Sequence, residues 1–247
     1  MQYLVDNNIS VACITESWLT DSNDFTTFRI KSYGYSVSHK HRELRRGGGV
    51  CFIYKLSNKV IESKSKRIYE SFEYHLLELC MPCNDSNIVI ICIYRKQEIS
   101  FTQFHAEFSH FCEDLIEQFL NSFLVLGDFN VHCESNTYMA NQLLSILSSY
   151  GLTQHIESAT HKSGHMIDLV FSNVYEIPLQ SIIIDDVIAE NLFYKFDHFP
   201  ITFNIQFTSP EQGESFIVKD VRNINAIDID EFNEMYLRPF VTKLLPI

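Results

Sequence analysis

Phe123-Leu124-Val125-Leu126-Gly127-Asp128-Phe129-Asn130 is a short apolar run that stops at a glycine, a carboxylate and a carboxamide. A run of this length closed by Gly-Asp reads as a strand buried on both faces. Its carboxyl end presents Asp128 and Asn130 two residues apart. A carboxylate can hold a metal or polarise a water, and a carboxamide beside it can donate to one oxygen while accepting from another. Asp and Asn are also ordinary turn residues. The octapeptide therefore acquires chemical meaning only if other strand ends bring more carboxylates and a histidine to the same place.

Four other apolar runs end in polar groups. Val11-Ala12-Cys13-Ile14-Thr15-Glu16 ends in a carboxylate, and Ile90-Ile91-Cys92-Ile93-Tyr94-Arg95 in a phenol and a guanidinium. His165-Met166-Ile167-Asp168-Leu169-Val170 sets an Asp inside an apolar strand, and Asp197-His198-Phe199-Pro200-Ile201 sets Asp-His before one. Each has a structural alternative. Glu16 serves equally as a helix cap, Tyr94 as an edge aromatic and Asp197-His198 as a surface pair. Asp168 is harder to explain that way, because a carboxylate buried among Ile, Leu and Val needs a partner.

Further strands are expected at Gly49–Tyr54, His75–Cys80 and Ile201–Phe207. Phe101, Phe104, Phe108, Phe111, Leu115 and Phe119 recur at helical spacing, as do Met139, Leu143, Leu144 and Leu147, with Gly151 as a left-handed stop. Many strands with few helices predict an α+β four-layer sandwich, two sheets face to face and flanked by helices.

The chain has 247 residues, 46% hydrophobic and 13% aromatic, enough for one large core. Its net charge of -12 argues against nucleic-acid binding over the whole surface. Residues 31–67, however, hold ten Lys or Arg against Glu43 and Glu62. This is either a solvated loop or a basic patch that guides a phosphodiester toward an acidic, metal-bearing cleft. Seven cysteines, several in apolar runs, read as buried small residues in a reducing compartment, and Cys80-Met81-Pro82-Cys83 has no second pair at zinc spacing. No signal peptide and no run of roughly 20 apolar residues is visible, so an intracellular, nuclear or cytoplasmic protein without a membrane partner is expected. Thr208–Glu214 has linker composition, and Ile229–Leu237 looks like the start of another helix. Residues 1–207 are expected to form the domain, and 208–247 a linker and helix start.

The order Glu…Tyr…Gly-Asp-Phe-Asn…Ile-Asp…Asp-His-x-Pro resembles the endonuclease/exonuclease/phosphatase superfamily. Thr15-Glu16-Ser17-Trp18-Leu19, Arg46-Gly47-Gly48-Gly49-Val50, Gly127-Asp128-Phe129-Asn130-Val131-His132, Ala159-Thr160-His161, Gly164–Val170 and Val221–Ile224 look like the endonuclease domain of non-LTR (LINE-type) retrotransposons and its linker toward a reverse transcriptase. The resemblance implies Mg²⁺-dependent nicking of DNA, with Mn²⁺ as an alternative ion. Glu16 would hold the metal, with Asp197 near it or near the water. Asp128 would activate the attacking water and Asn130 would place it. His198 would contact a phosphate oxygen, oriented by Asp168, and Tyr94 would donate to the phosphate. Arg42, Arg45, Arg46 and Arg95 would face the nucleic acid.

Three departures stand against the family pattern. The family's first strand, which bears an Asn, would precede Met1, and Met1–Asn8 looks like the tail of the helix after it. Tyr94-Arg95-Lys96-Gln97 replaces Tyr-Arg-Pro-Pro, and Phe196 replaces the Ser before Asp-His. A catalytically impaired remnant that at most binds nucleic acid, or a phosphatase of the same superfamily, are the alternatives.

Overall fold

Among the described residues, three sheets, stacked so that two of them cover one face of the third, carry the apolar runs. The structure is a computed structural model and describes residues 1–19, 25–40, 48–63, 67–80, 87–119, 123–173, 179–185 and 197–205. All of these lie within one unit, Met1–Ser209. The expected linker and helix at 208–247 and the arginines Arg42, Arg45 and Arg46 fall outside the described residues.

The largest sheet has six strands: β4 (Val60–Ser63), β5 (Phe72–Cys80), β6 (Asn87–Arg95), β7 (Phe123–Asp128), β9 (Asp168–Ser172) and the two-residue β8 (Thr153–Gln154), in the order β4-β5-β6-β7-β9-β8. Among the described strands, only β6 and β7 run parallel. The crossover between them contains α3 (Phe101–Gln118), as a parallel pair requires. Side chains alternate across these strands. Val89, Ile91 and Ile93 of β6, Phe123 and Val125 of β7 and Leu169 and Phe171 of β9 face one way, into a core shared with α3 and α4 (Tyr138–Ser149). The phenylalanine stripe of α3 packs there, with Phe72 edge-on to Phe104 at 5.9 Å between centroids. Both helices begin at hydroxyl caps: Ser100 Oγ accepts from Gln103 N and Thr137 Oγ1 from Ala140 N. Gly151 closes α4 at a φ of 67°.

The opposite face of the six-stranded sheet is covered in two pieces. β1 (Val11–Thr15), β3 (Val50–Lys55) and β2 (Tyr35–Lys40) form an antiparallel sheet in the order β1-β3-β2. Its Val50 and Phe52 pack on Leu77, Ile90 and Cys92. The hairpin of β10 (Leu179–Ile184) and β11 (Ile201–Ile205) covers Ile88 and Leu124 through Leu179, Phe203 and Ile205. Leu4 of α1 (Gln2–Asp6) and Ile30 of α2 (Phe25–Ser32) cover the outer side of the three-stranded sheet through Cys51 and Ile53. The result is the expected α+β four-layer arrangement, with one adjustment. The second sheet is divided, because among the described residues no hydrogen-bonded strand joins β1 to the hairpin.

The described cysteines are free thiols, and burial pushes Cys51 and Cys112 up to about 12. No helix among the described residues is long and apolar enough to cross a membrane.

Candidate active site

Position 127 sets the site. Gly127 has a φ of 139°, and a Cβ placed there would meet the Ile93 carbonyl oxygen at 2.0 Å. Only glycine permits this approach between β6 and β7. The next residue, Asp128, ends β7 opposite Asp168 on one side and beside Tyr94 on the other. Phe129 then turns into the core, fully buried, edge-on to Phe108 and Phe171. Its N–H donates to Ile167 O at 2.9 Å. The chain leaves through Asn130, held at a φ of 49°, a left-handed conformation that costs energy and persists only when neighbours impose it.

The neighbours do so. Asn130 N–H donates to Asp128 Oδ1 at 2.9 Å, and its Nδ2 donates to Asp128 Oδ2 at 3.1 Å and to Arg95 O at 2.8 Å. Arg95 returns the contact, its guanidinium donating to Asn130 O at 3.0 Å and Ile99 O at 3.3 Å. Gln97 Nε2 donates to Asn130 Oδ1.

Arg95 thereby departs from its expected place. It is 6% exposed, with its guanidinium 5.2 Å from the Phe104 ring centroid. Tyr94 and Arg95 are consecutive on a strand and point to opposite faces. Tyr94 joins Asp128 between the sheets, and Arg95 goes under α3. It supports the site from below rather than facing nucleic acid.

Asp168 and His198 form the second half. His198 Nδ1 lies 2.8 Å from Asp168 Oδ2. Burial disfavours the imidazolium, but the hydrogen bond and charge of Asp168, with the charges of Asp128 and Asp197, outweigh it and raise His198 to about 9. Asp128 moves the other way from its ordinary range. Burial, then the charge of Asp168, raises it to about 7, against the relief given by His198. Asp128, Asp168 and His198 bring ligand atoms within 4.8 Å of one another.

Thr160 joins these segments. Its hydroxyl accepts from the N–H groups of Ile167 (3.2 Å) and Asp168 (3.0 Å), while its carbonyl accepts from Phe199 N at 2.7 Å. Thr160 and His161 stand in the Ala159-Thr160-His161 resemblance with no role of their own, since a threonine eight residues before an aspartate carries no chemical pattern. Gln97 entered only as a departure from Tyr-Arg-Pro-Pro. His161 lies across from His198 at 5.0 Å between ring centroids.

Glu16 stands on the facing sheet at a φ of 50°. It accepts a hydrogen bond from the Tyr94 hydroxyl. Ser17 and Trp18 are tied to Gly49 O and Gly48 O by their N–H groups. Asp197 is placed elsewhere, exposed, with Oδ2 3.7 Å from His161 Nε2. Among the described residues, Asp197 groups with His161 and His198 as potential metal ligands, and no such group of three or more includes Glu16.

No family model matches the sequence, and no curated protein matches it. Solved structures do. The endonuclease domain of TRAS1, a telomere-specific non-LTR retrotransposon, superposes with a TM-score of 0.62 at 13% identity, over 83% of this chain and 88% of that one. An AP endonuclease from Archaeoglobus fulgidus gives 0.61 at 14% identity, over 83% and 91%. The mannosyl-6-phosphatase Bt3783 of Bacteroides thetaiotaomicron gives 0.56 at 12%, over 83% and 88%. At these identities the likeness is one of fold, and the chain carries the fold of the endonuclease/exonuclease/phosphatase superfamily.

Proposed function

We propose that the chain is a metal-dependent phosphodiesterase that nicks DNA. The observation that supports this most is the contiguous set Asn130–Asp128–Asp168–His198 where β7 ends and β9 begins. It combines a carboxylate near 7 with an imidazolium near 9, a pairing suited to one proton acceptor and one charge-stabilising donor at neutral pH.

Glu16, Asp128 and Asn130 supply oxygen donors only, the set that suits Mg²⁺, with Mn²⁺ as substitute. Two carboxylates opposed across β7 and β9 are also a place where a cation relieves repulsion. When bound, such an ion neutralises charge developing on the phosphate and leaving oxygens. The protein's own groups do the rest. Asp128 takes the proton of the attacking water, and Asn130 orients that water once Gln97 gives up Oδ1. His198 offers its second ring N–H to a non-bridging phosphate oxygen, and Asp168 holds the ring and favours its cation. Tyr94 can turn from Glu16 to the phosphate. Arg42, Arg45 and Arg46 are proposed to track the strand.

A supercoiled-plasmid nicking assay with Mg²⁺ tests the reading. Wild type should nick while His198→Ala falls to background, and Asp128→Ala should cost several orders of magnitude. Equal background in all three would overturn it. The phosphatase neighbour favours a second reading, hydrolysis of phosphate monoesters at the same groups. It would show as release of inorganic phosphate from a monoester by a protein that leaves plasmid intact.

A further inference from the structure

We infer that His132, Glu134 and His165 form a second metal site, built for Zn²⁺ or a similar divalent transition ion rather than Mg²⁺. The three residues come from the loop after Asn130 and the turn before Asp168, and their ligand atoms lie within 4.8 Å of one another. The group shares no residue with Asp128, Asp168 and His198, and it stands whether or not the chain cleaves DNA.

The geometry is prepared for an ion. Glu134 Oε2 is fixed by the Met166 N–H at 2.9 Å, and Cys133 N–H donates to Met166 O at 3.0 Å. The two loops are thus clamped through their backbones, and Glu134 Oε1 is turned toward both histidines. It lies 2.9 Å from His165 Nδ1 and 3.9 Å from His132 Nδ1. Metal–ligand bonds of about 2.0–2.2 Å in tetrahedral array place neighbouring donors about 3.3–3.6 Å apart, between those two distances. A small turn of the exposed His132 ring, now stacked on His165 at 3.8 Å between centroids, evens them.

The site offers one carboxylate oxygen and two imidazole nitrogens. Imidazole favours Zn²⁺, Co²⁺, Ni²⁺ and Cu²⁺ over Mg²⁺. Three protein donors leave a fourth position for solvent. Bound there, the ion would cross-link the loop that follows Asp128 and Asn130 to the turn that precedes Asp168.

Co²⁺ and Zn²⁺ binding to metal-free protein in excess Mg²⁺ tests the inference, read by Co²⁺ visible absorption and by calorimetric titration with Zn²⁺. Wild type should take up Co²⁺ and Zn²⁺, His198→Ala should keep the ion held by His132, Glu134 and His165, and both should show a Zn²⁺-dependent rise in Tm. His132→Ala and Glu134→Gln should weaken Zn²⁺ at least about tenfold and lose the absorption band. His132 is exposed, and glutamine can keep the Met166 contact, so both variants retain the fold. The inference is overturned if wild type takes up no Co²⁺ or Zn²⁺, if the two ligand variants bind as wild type does, or if His198→Ala alone abolishes binding.

Discussion

His198 Nδ1 and Asp168 Oδ2 meet at 2.8 Å although one residue precedes β11 and the other begins β9, on different sheets. The contact gives the carboxylate of an otherwise apolar strand its partner and directs the remaining ring nitrogen away from it. His198 is held near 9, above its ordinary 6.5, because Asp168, Asp128 and Asp197 overcome the burial of the ring.

The sign of the pH effect follows. The folded state holds the His198 proton more tightly than the unfolded chain. This stabilisation is fully present below about 6.5 and is lost as pH rises through about 9. Denaturant midpoints of wild type and Asp168→Asn should differ most near pH 6 and converge near pH 10. A difference that stays constant across that range would mean that the imidazolium contributes nothing.

Asp128 behaves oppositely to a salt-bridged aspartate. Its folded value near 7 exceeds the ordinary 3.8 because burial and Asp168 disfavour the anion. Metal-free protein should therefore lose stability as pH rises from about 4 to 7. Asp128→Asn should melt higher than wild type at pH 8 and no higher at pH 4. The reverse ordering in thermal melts would refute the assignment.

Gly127→Ala should destabilise the protein by at least about 2 kcal/mol, combining a backbone clash with an unfavourable φ. The added Cβ would lie 2.0 Å from Ile93 O, so β6 and β7 must separate. Denaturant titration measures the loss, and a change below about 0.5 kcal/mol, the range of ordinary surface substitutions, would count against this role.

Thr160→Val keeps the volume but removes the acceptor for two N–H groups, those of Ile167 and Asp168. The cost should be about 1–3 kcal/mol for each donor left unsatisfied. Thr160→Ser should recover most of it. If serine and valine are equally destabilising in denaturant titrations, packing rather than the hydroxyl is responsible.

The sequence made the layers and most of the site legible where periodicity was strong. The Phe101–Phe119 stripe is α3 within one residue at its carboxyl end. The run at 123–126 is β7, extended through Asp128. The expected strand at Ile201–Phe207 is described as Ile201–Ile205. β2 was not foreseen, because Tyr35-Ser36-Val37-Ser38-His39-Lys40 has only two apolar residues and its register comes from pairing with β3. Arg95 departs from expectation for a different reason. Its place beside Tyr94 at a polar strand end points it toward the nucleic acid, whereas the two-residue period sends Arg95 under α3 and Tyr94 between the sheets. Neither the Gln97–Asn130 bond nor the gathering of His132, Glu134 and His165 has a sequence signal, since each depends on how separate loops meet.

Thr160 binds Asp168 through its hydroxyl and the His198 segment through its carbonyl, so both residues ride on one rigid frame. A shift of the three-stranded sheet against the six-stranded one would alter the distance from this pair to Glu16 while leaving the Asp168–His198 separation unchanged. Opening for a substrate need not unmake the charged donor that receives it.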